Sequence, residues 1–159
     1  MKKRILMVCL GNICRSPMAK ALLVKKLEDK NIDWVEVDSA GTAGYHSGGV
    51  ADKRTIENGN KHGIDLSSHR ARQFNRQDFD AFDLIYAMDR ENYADILTLA
   101  TTKEEAKKVK LILDEINPGG NLSVPDPWFG GEQGFEKVFH LLNKASDIII
   151  EKIESGKIQ

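Results

Sequence analysis

Cys9 and Arg15 are the residues of this sequence best suited to chemistry, because they lie at the two ends of one short loop. The apolar run at residues 5–8 predicts a buried strand, and Ser16 and Pro17 predict the N-cap and the first position of a helix. A strand-loop-helix turn points backbone N–H groups and the positive end of the helix dipole at one spot. The spacing therefore predicts an anion site with a thiol at its edge.

The loop from Cys9 to Arg15 supplies both a nucleophile and a holder for a tetrahedral anion. The N–H groups and the guanidinium favour the charged form of the sulfur, so we expect a reactive thiolate. Arg15 carries a planar fork that can hold two oxygens of a phosphate-like group at once. A lone cysteine at the end of a strand is most often a core residue. Its combination with five spacers, arginine, a hydroxyl residue and proline favours a catalytic anion loop instead.

The composition is that of an ordinary globular chain. Its 159 residues predict one domain spanning positions 1–159, and 41% hydrophobic with 30% charged residues fits a packed core under a charged surface. The formal net charge of -1 provides no global field that would recruit nucleic acid or an anionic membrane. We therefore expect neither partner, and anion binding has to be local.

The two cysteines, Cys9 and Cys14, both lie in the candidate loop. This count excludes a disulfide scaffold and is typical of a reducing compartment. The basic residues 2–4 and the apolar run after them resemble the start of a signal peptide, but the run ends at Gly11 without a small-residue cleavage site. No segment approaches the roughly 20 apolar residues that span a bilayer. We therefore expect a cytoplasmic protein.

Strand and helix patterns alternate along the chain. Right-handed crossovers between them predict an α/β fold with a doubly wound, four-stranded parallel sheet and helices on both faces, of the flavodoxin-like or Rossmannoid kind. Ligands of such sheets bind at the carboxyl ends of the strands, where Cys9 lies. The predicted strands are residues 5–8, 34–39, 84–88 and 109–113, and the predicted helices are residues 16–30, 52–62, 89–99 and 135–153.

Asp126 is a second candidate for chemistry and lies between Pro125 and Pro127, after the fourth predicted strand. The flanking prolines keep this segment out of regular structure, so that the carboxyl is displayed from a stiffened loop. The pattern suits a general acid and equally suits a turn whose Asp caps the following helix. Trp128 and Phe129 follow directly and can form the walls of a slot for a flat ring.

The segment from Cys9 to Ser16 resembles the Cys-x5-Arg-Ser loop of the low-molecular-weight protein tyrosine phosphatases, and Asp126 with Pro127 matches their Asp-Pro motif. The resemblance implies a protein-tyrosine phosphatase that acts on phosphotyrosine in proteins or on small aryl phosphates, without a cofactor or metal. It implies a phosphocysteine intermediate, with Cys9 as nucleophile, Arg15 as phosphate clamp and Asp126 as general acid and then general base. The phosphate-binding positions are Leu10, Gly11, Asn12, Ile13, Cys14 and Arg15.

The resemblance also implies supporting residues around the loop. Ser16 would donate its hydroxyl to the Cys9 sulfur, which stabilises the thiolate and makes it a better leaving group in the second step. Asn12, Ser39 and His69 resemble the polar network that holds the loop of this family in shape.

The aromatic residues set the expected substrate preference. Tyr45, in the glycine-rich stretch 40–49, falls where the family tends to place an aromatic wall, and it fits a tethering loop aromatic nearly as well. Trp128 and Phe129 stand where family members often carry tyrosine. This sequence therefore keeps the acid but departs from the family in its walls, and it lacks a tyrosine-based control point there.

Two other functions share part of the pattern. Related arsenate reductases use the same loop with further cysteines downstream, and no cysteine follows Cys14. A phosphate-sensing module with an idle thiol would have no use for a proton donor such as Asp126. Nucleotide binding is disfavoured because neither GxGxxG nor GxxxxGK[ST] occurs. As a further hypothesis, oxidised Cys9 is trapped by Cys14 as a reversible disulfide.

Overall fold

The computed structural model describes residues 2–158. Its sheet has four parallel strands in the order β2-β1-β3-β4. The strands are β1 (Lys3–Cys9), β2 (Val35–Gly41), β3 (Leu84–Ala87) and β4 (Val109–Leu111). The helices are α1 (Arg15–Asp29), α2 (Lys53–Lys61), α3 (Gln77–Ala81), α4 (Arg90–Leu99), α5 (Lys103–Lys107) and α6 (Gly131–Glu154).

The central strand β1 is buried on both faces from Ile5 to Cys9, which is why this part of its sequence is a continuous apolar run. Ile5 and Met7 face one core with α1 and α6, whereas Leu6 and Val8 face a second core with α3 and α4. β1 pairs with β2 on one side and with β3 on the other, so the strand order reverses beside it. The predicted doubly wound α/β sheet is confirmed, and Cys9 ends the strand at its switch point.

Two predicted helix starts, at residues 52 and 89, coincide with N-cap residues in the structure. Asp52 caps α2 by accepting a hydrogen bond from the N–H of Arg54 at 2.8 Å, and Gly63 follows that helix with a φ of 73°. Asp89 caps α4 in a capping box with Asn92. These caps fix the ends of helices because the side chains satisfy N–H groups that have no partner inside the helix.

Other predicted boundaries were wrong. α1 begins at Arg15 with Cys14 at its N-cap position, so Ser16 lies inside the first turn and does not cap the helix. The fourth strand ends at Leu111 rather than at residue 113, because Ile112–Glu115 forms a 3₁₀ helix. β2 continues to Gly41, two residues beyond the predicted end of this strand at residue 39. The short helices α3 and α5 were not predicted.

Within residues 2–158, the structure holds no helix with the length and apolar character needed to cross a membrane.

Candidate active site

The loop between β1 and α1 is built around the buried side chain of Asn12. Its backbone is left-handed, with a φ of 58°, a conformation that asparagine tolerates better than most residues. Its Nδ2 donates to the hydroxyl oxygens of Ser16 at 2.8 Å and Ser39 at 3.0 Å, and its Oδ1 accepts from the N–H of Arg72 at 3.0 Å. One amide thus ties the loop to its own helix, to β2 and to the segment after α2.

Cys9 lies buried at the end of β1, with its sulfur turned into the loop. The N–H of Asn12 donates to Sγ at 3.3 Å, and the hydroxyl oxygen of Ser16 lies 3.0 Å from Sγ. The carbonyl of Ala40 is a second acceptor for that hydroxyl, at 3.3 Å. Ser16, freed from capping the helix, is therefore placed to donate to the sulfur, as the resemblance implied for it.

Arg15 is buried, and its guanidinium is fixed from one side. Nη1 donates to Asp89 Oδ2 at 2.7 Å and to the carbonyl of Val124 at 2.9 Å. Within residues 2–158, both hydrogen bonds of this side chain use Nη1, which leaves Nη2 and Nε available to an anion. Asp89 was predicted only as the first residue of a helix; one of its carboxylate oxygens caps α4 and the other orients the arginine.

His69 supports the loop from the segment after α2. Its Nε2 lies 2.7 Å from the carbonyl oxygen of Asn12, so this nitrogen carries the proton and donates. Burial lowers the pKa of His69 and outweighs the hydrogen bond to Asn12, which acts in the opposite direction. The ring is thus neutral near pH 7 and fastens the backbone turn of the loop without adding charge.

Asp126 lies exposed on the segment between the 3₁₀ helix and α6. Its Oδ1 accepts a hydrogen bond from the N–H of Trp128 at 3.0 Å. The helix after it has Gly130 at its N-cap position and no side-chain cap, so the alternative of Asp126 as a helix cap is wrong. Pro127 beside it is buried and anchors the segment, and the carboxyl is left at the edge of the anion loop.

One cleft of about 330 Å³ brings together the two ends of the loop, the candidate acid and the aromatic residues. Tyr45 is 81% exposed, Trp128 42% and Phe129 96%, so Trp128 forms more of an inner wall and Phe129 stands at the outer rim. Asn12, Ser16, Ser39 and His69 do not line the cleft and act from behind the loop. The lining residues are Cys9, Leu10, Gly11, Ile13, Cys14, Arg15, Tyr45, His46, Asp126, Trp128 and Phe129.

His46 also lines the cleft, and it was not among the predicted site residues. Its ring lies so close to the loop that a Cβ at Gly11 would be 3.0 Å from His46 Cδ2. Gly41, at the end of β2, packs tightly against the same loop, because a Cβ at Gly41 would be 2.6 Å from the carbonyl oxygen of Leu10. Tyr45 was the signal that could have pointed to His46, since both stand in the same glycine-rich stretch.

Residues 2–158 contain no group of three or more His, Cys, Asp or Glu side chains arranged to hold a metal ion.

Cys14 differs from Cys9 in its surroundings. Burial raises the pKa of the Cys14 thiol to about 12, and the charge of Asp52 acts in the same direction. Both thiols are free. The hypothesis that Cys14 traps an oxidised Cys9 therefore acquires a pH dependence, because a disulfide forms by attack of the thiolate and not of the thiol.

We expect peroxide to give more Cys9–Cys14 disulfide at pH 9 than at pH 7. A thiol with a raised pKa is almost entirely protonated at neutral pH. Raising the pH therefore increases the rate of attack by Cys14 relative to the rate of over-oxidation of Cys9. Mass spectrometry of alkylated peptides measures both products. Cys14→Ser should yield only over-oxidised Cys9, and absence of the bridge from the wild type at every pH would discard the hypothesis.

The fold and the site together define a class of protein, the doubly wound α/β proteins with a thiol-bearing anion loop at the carboxyl edge of the sheet. The profile of the family described as Low molecular weight phosphotyrosine protein phosphatase matches residues 4–157. The chain belongs to this family. The resemblance to the low-molecular-weight protein tyrosine phosphatases is thereby confirmed, and so is the prediction of an enzyme of the protein tyrosine phosphatase class.

Individual relatives match over nearly the whole chain. A low molecular weight protein-tyrosine-phosphatase of Streptomyces coelicolor is 44% identical over 149 residues, covering 92% of this chain and 90% of its own. The low molecular weight phosphotyrosine protein phosphatase of Homo sapiens is 38% identical over 152 residues, covering 94% and 95%.

Solved structures agree in fold. A protein tyrosine phosphatase from Entamoeba histolytica with Hepes in the active site has a TM-score of 0.91 at 38% identity, covering 98% of this chain and 99% of its own. A Drosophila arginine phosphatase has a TM-score of 0.87 at 30% identity, covering 96% and 98%.

Proposed function

We propose that this protein hydrolyses aryl phosphate monoesters, above all phosphotyrosine in proteins, through a phosphocysteine intermediate. The observation that carries the proposal is the convergence of Cys9, Arg15 and Asp126 on one cleft. These three side chains come from the end of β1, the first turn of α1 and the segment before α6. Aromatic walls of Trp128 and Tyr45 suit the flat ring of a phenyl phosphate.

In the first step the Cys9 sulfur attacks phosphorus in line with the departing phenol oxygen. The S–P bond forms as the P–O bond breaks, and Asp126 gives its proton to the phenolate that leaves. The loop N–H groups, with Nη2 and Nε of Arg15, hold the equatorial oxygens, where negative charge is spread in the transition state.

In the second step water attacks the phosphocysteine. Asp126, now a carboxylate, accepts a proton from that water, and the S–P bond breaks to release inorganic phosphate and the thiolate. The hydroxyl of Ser16, 3.0 Å from the sulfur, stabilises the negative charge that returns to it. Ser39 and His69 act through Asn12 to keep the loop N–H groups aimed at the phosphate.

We also propose that residues 1–159 work as one phosphatase-like domain in the cytoplasm. Support for one domain comes from a family match and structural matches that run through the chain. A reducing compartment suits a site that carries two thiols on one loop.

The test of the proposed acid is Asp126→Asn. The amide oxygen can still accept the N–H of Trp128, so the segment keeps its turn, but no proton can be donated. We expect kcat/KM for phenyl phosphate to fall by about 10²- to 10⁴-fold, and less for 4-nitrophenyl phosphate, whose leaving group departs well without protonation. Steady-state kinetics on both substrates measures the difference.

A matched control is Asp114→Asn. Asp114 also holds a loop by accepting a backbone N–H, that of Asn121 at 3.3 Å, and it lies outside the cleft. Asp114→Asn should leave kcat/KM for both substrates unchanged. A loss below about threefold in Asp126→Asn would contradict its role as the general acid, whereas a wild type that binds tungstate but hydrolyses neither substrate would favour a phosphate-binding module. Phosphoarginine as a third substrate checks the proposed preference for aryl phosphates, and preferential turnover of it would contradict that preference.

A further inference from the structure

The segment that carries Asp126 has few attachments to the rest of the molecule. Residues 125–130 make two hydrogen bonds among themselves, from the N–H of Trp128 to Asp126 and from the N–H of Gly130 to the carbonyl of Pro127. In the described part of the chain, the one hydrogen bond that ties this segment to an element other than α6 comes from Arg54. We call residues 125–130 the acid segment.

Arg54 holds the acid segment in two ways. Its Nη1 donates to the carbonyl oxygen of Trp128 at 2.7 Å. Its guanidinium carbon also lies 4.8 Å from the ring centroid of Trp128 and 4.8 Å from that of Phe135, within the range of cation–π attraction. The side chain therefore fastens both the backbone and the ring of the residue whose N–H orients the Asp126 carboxyl.

Arg54 is itself oriented by Asp52. Nε and Nη2 of the arginine lie 3.2 Å from Oδ1 and Oδ2 of the carboxylate, a bidentate pair. Burial opposes the charge of Asp52, but the hydrogen bonds from Arg54 outweigh it and lower the pKa of the carboxyl. The backbone N–H of Asp52 in turn donates to the carbonyl of Ile13 in the anion loop, at 2.8 Å.

A continuous set of contacts thus runs from the anion loop to the acid: Ile13, Asp52, Arg54, Trp128 and Asp126. We infer that Arg54 is a positioning residue, which sets the distance and angle between Asp126 and the phosphate held over Cys9. The inference rests on the proposed function of Asp126 as the general acid. Arginine is required because one planar group has to donate to a carboxylate and a carbonyl while it stacks on a ring, which the point charge of lysine cannot do.

The experiment uses Arg54→Gln, alone and combined with Asp126→Asn, with phenyl phosphate and 4-nitrophenyl phosphate as substrates. We expect Arg54→Gln to lower kcat/KM for phenyl phosphate about tenfold and for 4-nitrophenyl phosphate less than about threefold, because a misplaced acid matters most for the poorer leaving group. In the Asp126→Asn background the same substitution should have almost no effect, since residues that act as a unit are not additive.

Two controls separate positioning from general damage. Tungstate affinity, measured by calorimetry, should not change in Arg54→Gln, because the anion loop keeps its own contacts. Arg76→Gln is the matched variant, since Arg76 also donates to a backbone carbonyl, that of Leu99, and pairs with a carboxylate, Glu105, outside the cleft. It should leave the ratio of the two substrates as in the wild type.

Three results would overturn the inference. The first is an equal loss for both substrates, the second is an undiminished effect of Arg54→Gln in the Asp126→Asn background, and the third is weakened tungstate binding. A failure of the proposed function gives a different result, because Asp126→Asn alone would then leave the ratio of the two substrates unchanged.

Discussion

Cys9→Ser is expected to abolish hydrolysis of 4-nitrophenyl phosphate, with kcat/KM reduced at least about 10⁴-fold. A serine hydroxyl stays protonated at neutral pH, and within residues 2–158 the groups at hydrogen-bond distance from the Cys9 sulfur are the N–H of Asn12 and the hydroxyl of Ser16, neither of which is a base. The covalent phospho-enzyme therefore cannot form. Stopped-flow kinetics at high enzyme concentration measures any residual rate.

Tungstate binding is the control for this variant. The anion loop is held by the Asn12 side chain, and a serine oxygen can still accept the N–H of Asn12, so Cys9→Ser should bind tungstate at least as tightly as the wild type. Residual hydrolysis within about 100-fold of the wild type in a variant that binds tungstate would remove Cys9 from the role of nucleophile.

Arg15→Lys is expected to reduce kcat/KM for the same substrate by about 10³-fold. The lysine keeps the positive charge but has one nitrogen in place of the fork. It cannot donate to Asp89 and to the Val124 carbonyl while it also holds two equatorial oxygens of a phosphate. Steady-state kinetics and tungstate calorimetry should both show the loss.

Asp89→Asn is the matched variant for Arg15→Lys. Asparagine caps helices as well as aspartate does, so α4 is kept, while the guanidinium loses its ionic partner. We expect a smaller loss than in Arg15→Lys, because the fork is still present but less firmly oriented. If Arg15→Lys retained wild-type kcat/KM, the bidentate role of Arg15 would be wrong, whatever the result for Asp89→Asn.

The fold was largely predictable because its strongest signals are local. Residues 5–8 of β1 are an uninterrupted apolar run, and Asp52 and Asp89 begin helices with side chains that cap N–H groups only a few residues away. The helices α3 and α5, with five residues each, escaped prediction because they are too short to show a helical period. Ile112 is buried like a strand residue, which made the 3₁₀ helix look like the end of β4.

The candidate site also has a part that the sequence predicts and a part that it does not. Cys9, Arg15 and the loop between them are contiguous in sequence, so their type and spacing predicted an anion loop. The role of Ser16 illustrates the limit, because the same hydroxyl suits an N-cap or a hydrogen bond to a nearby sulfur. Because α1 begins at Arg15 with Cys14 at the N-cap position, Ser16 is not the cap, and its hydroxyl oxygen lies 3.0 Å from the Cys9 sulfur.

The sequence by itself determined the alternation of strands and helices and the thiol–guanidinium loop, since both depend on interactions within a few residues. Only the tertiary structure decided how Arg15 is oriented and how the acid is placed. Arg15 donates a hydrogen bond to Asp89, which is 74 residues away in sequence, and Arg54 donates to Trp128, which is also 74 residues away. Such pairs leave no period or spacing in the sequence, because they exist only once parallel strands and their crossovers have brought distant loops to one edge of the sheet.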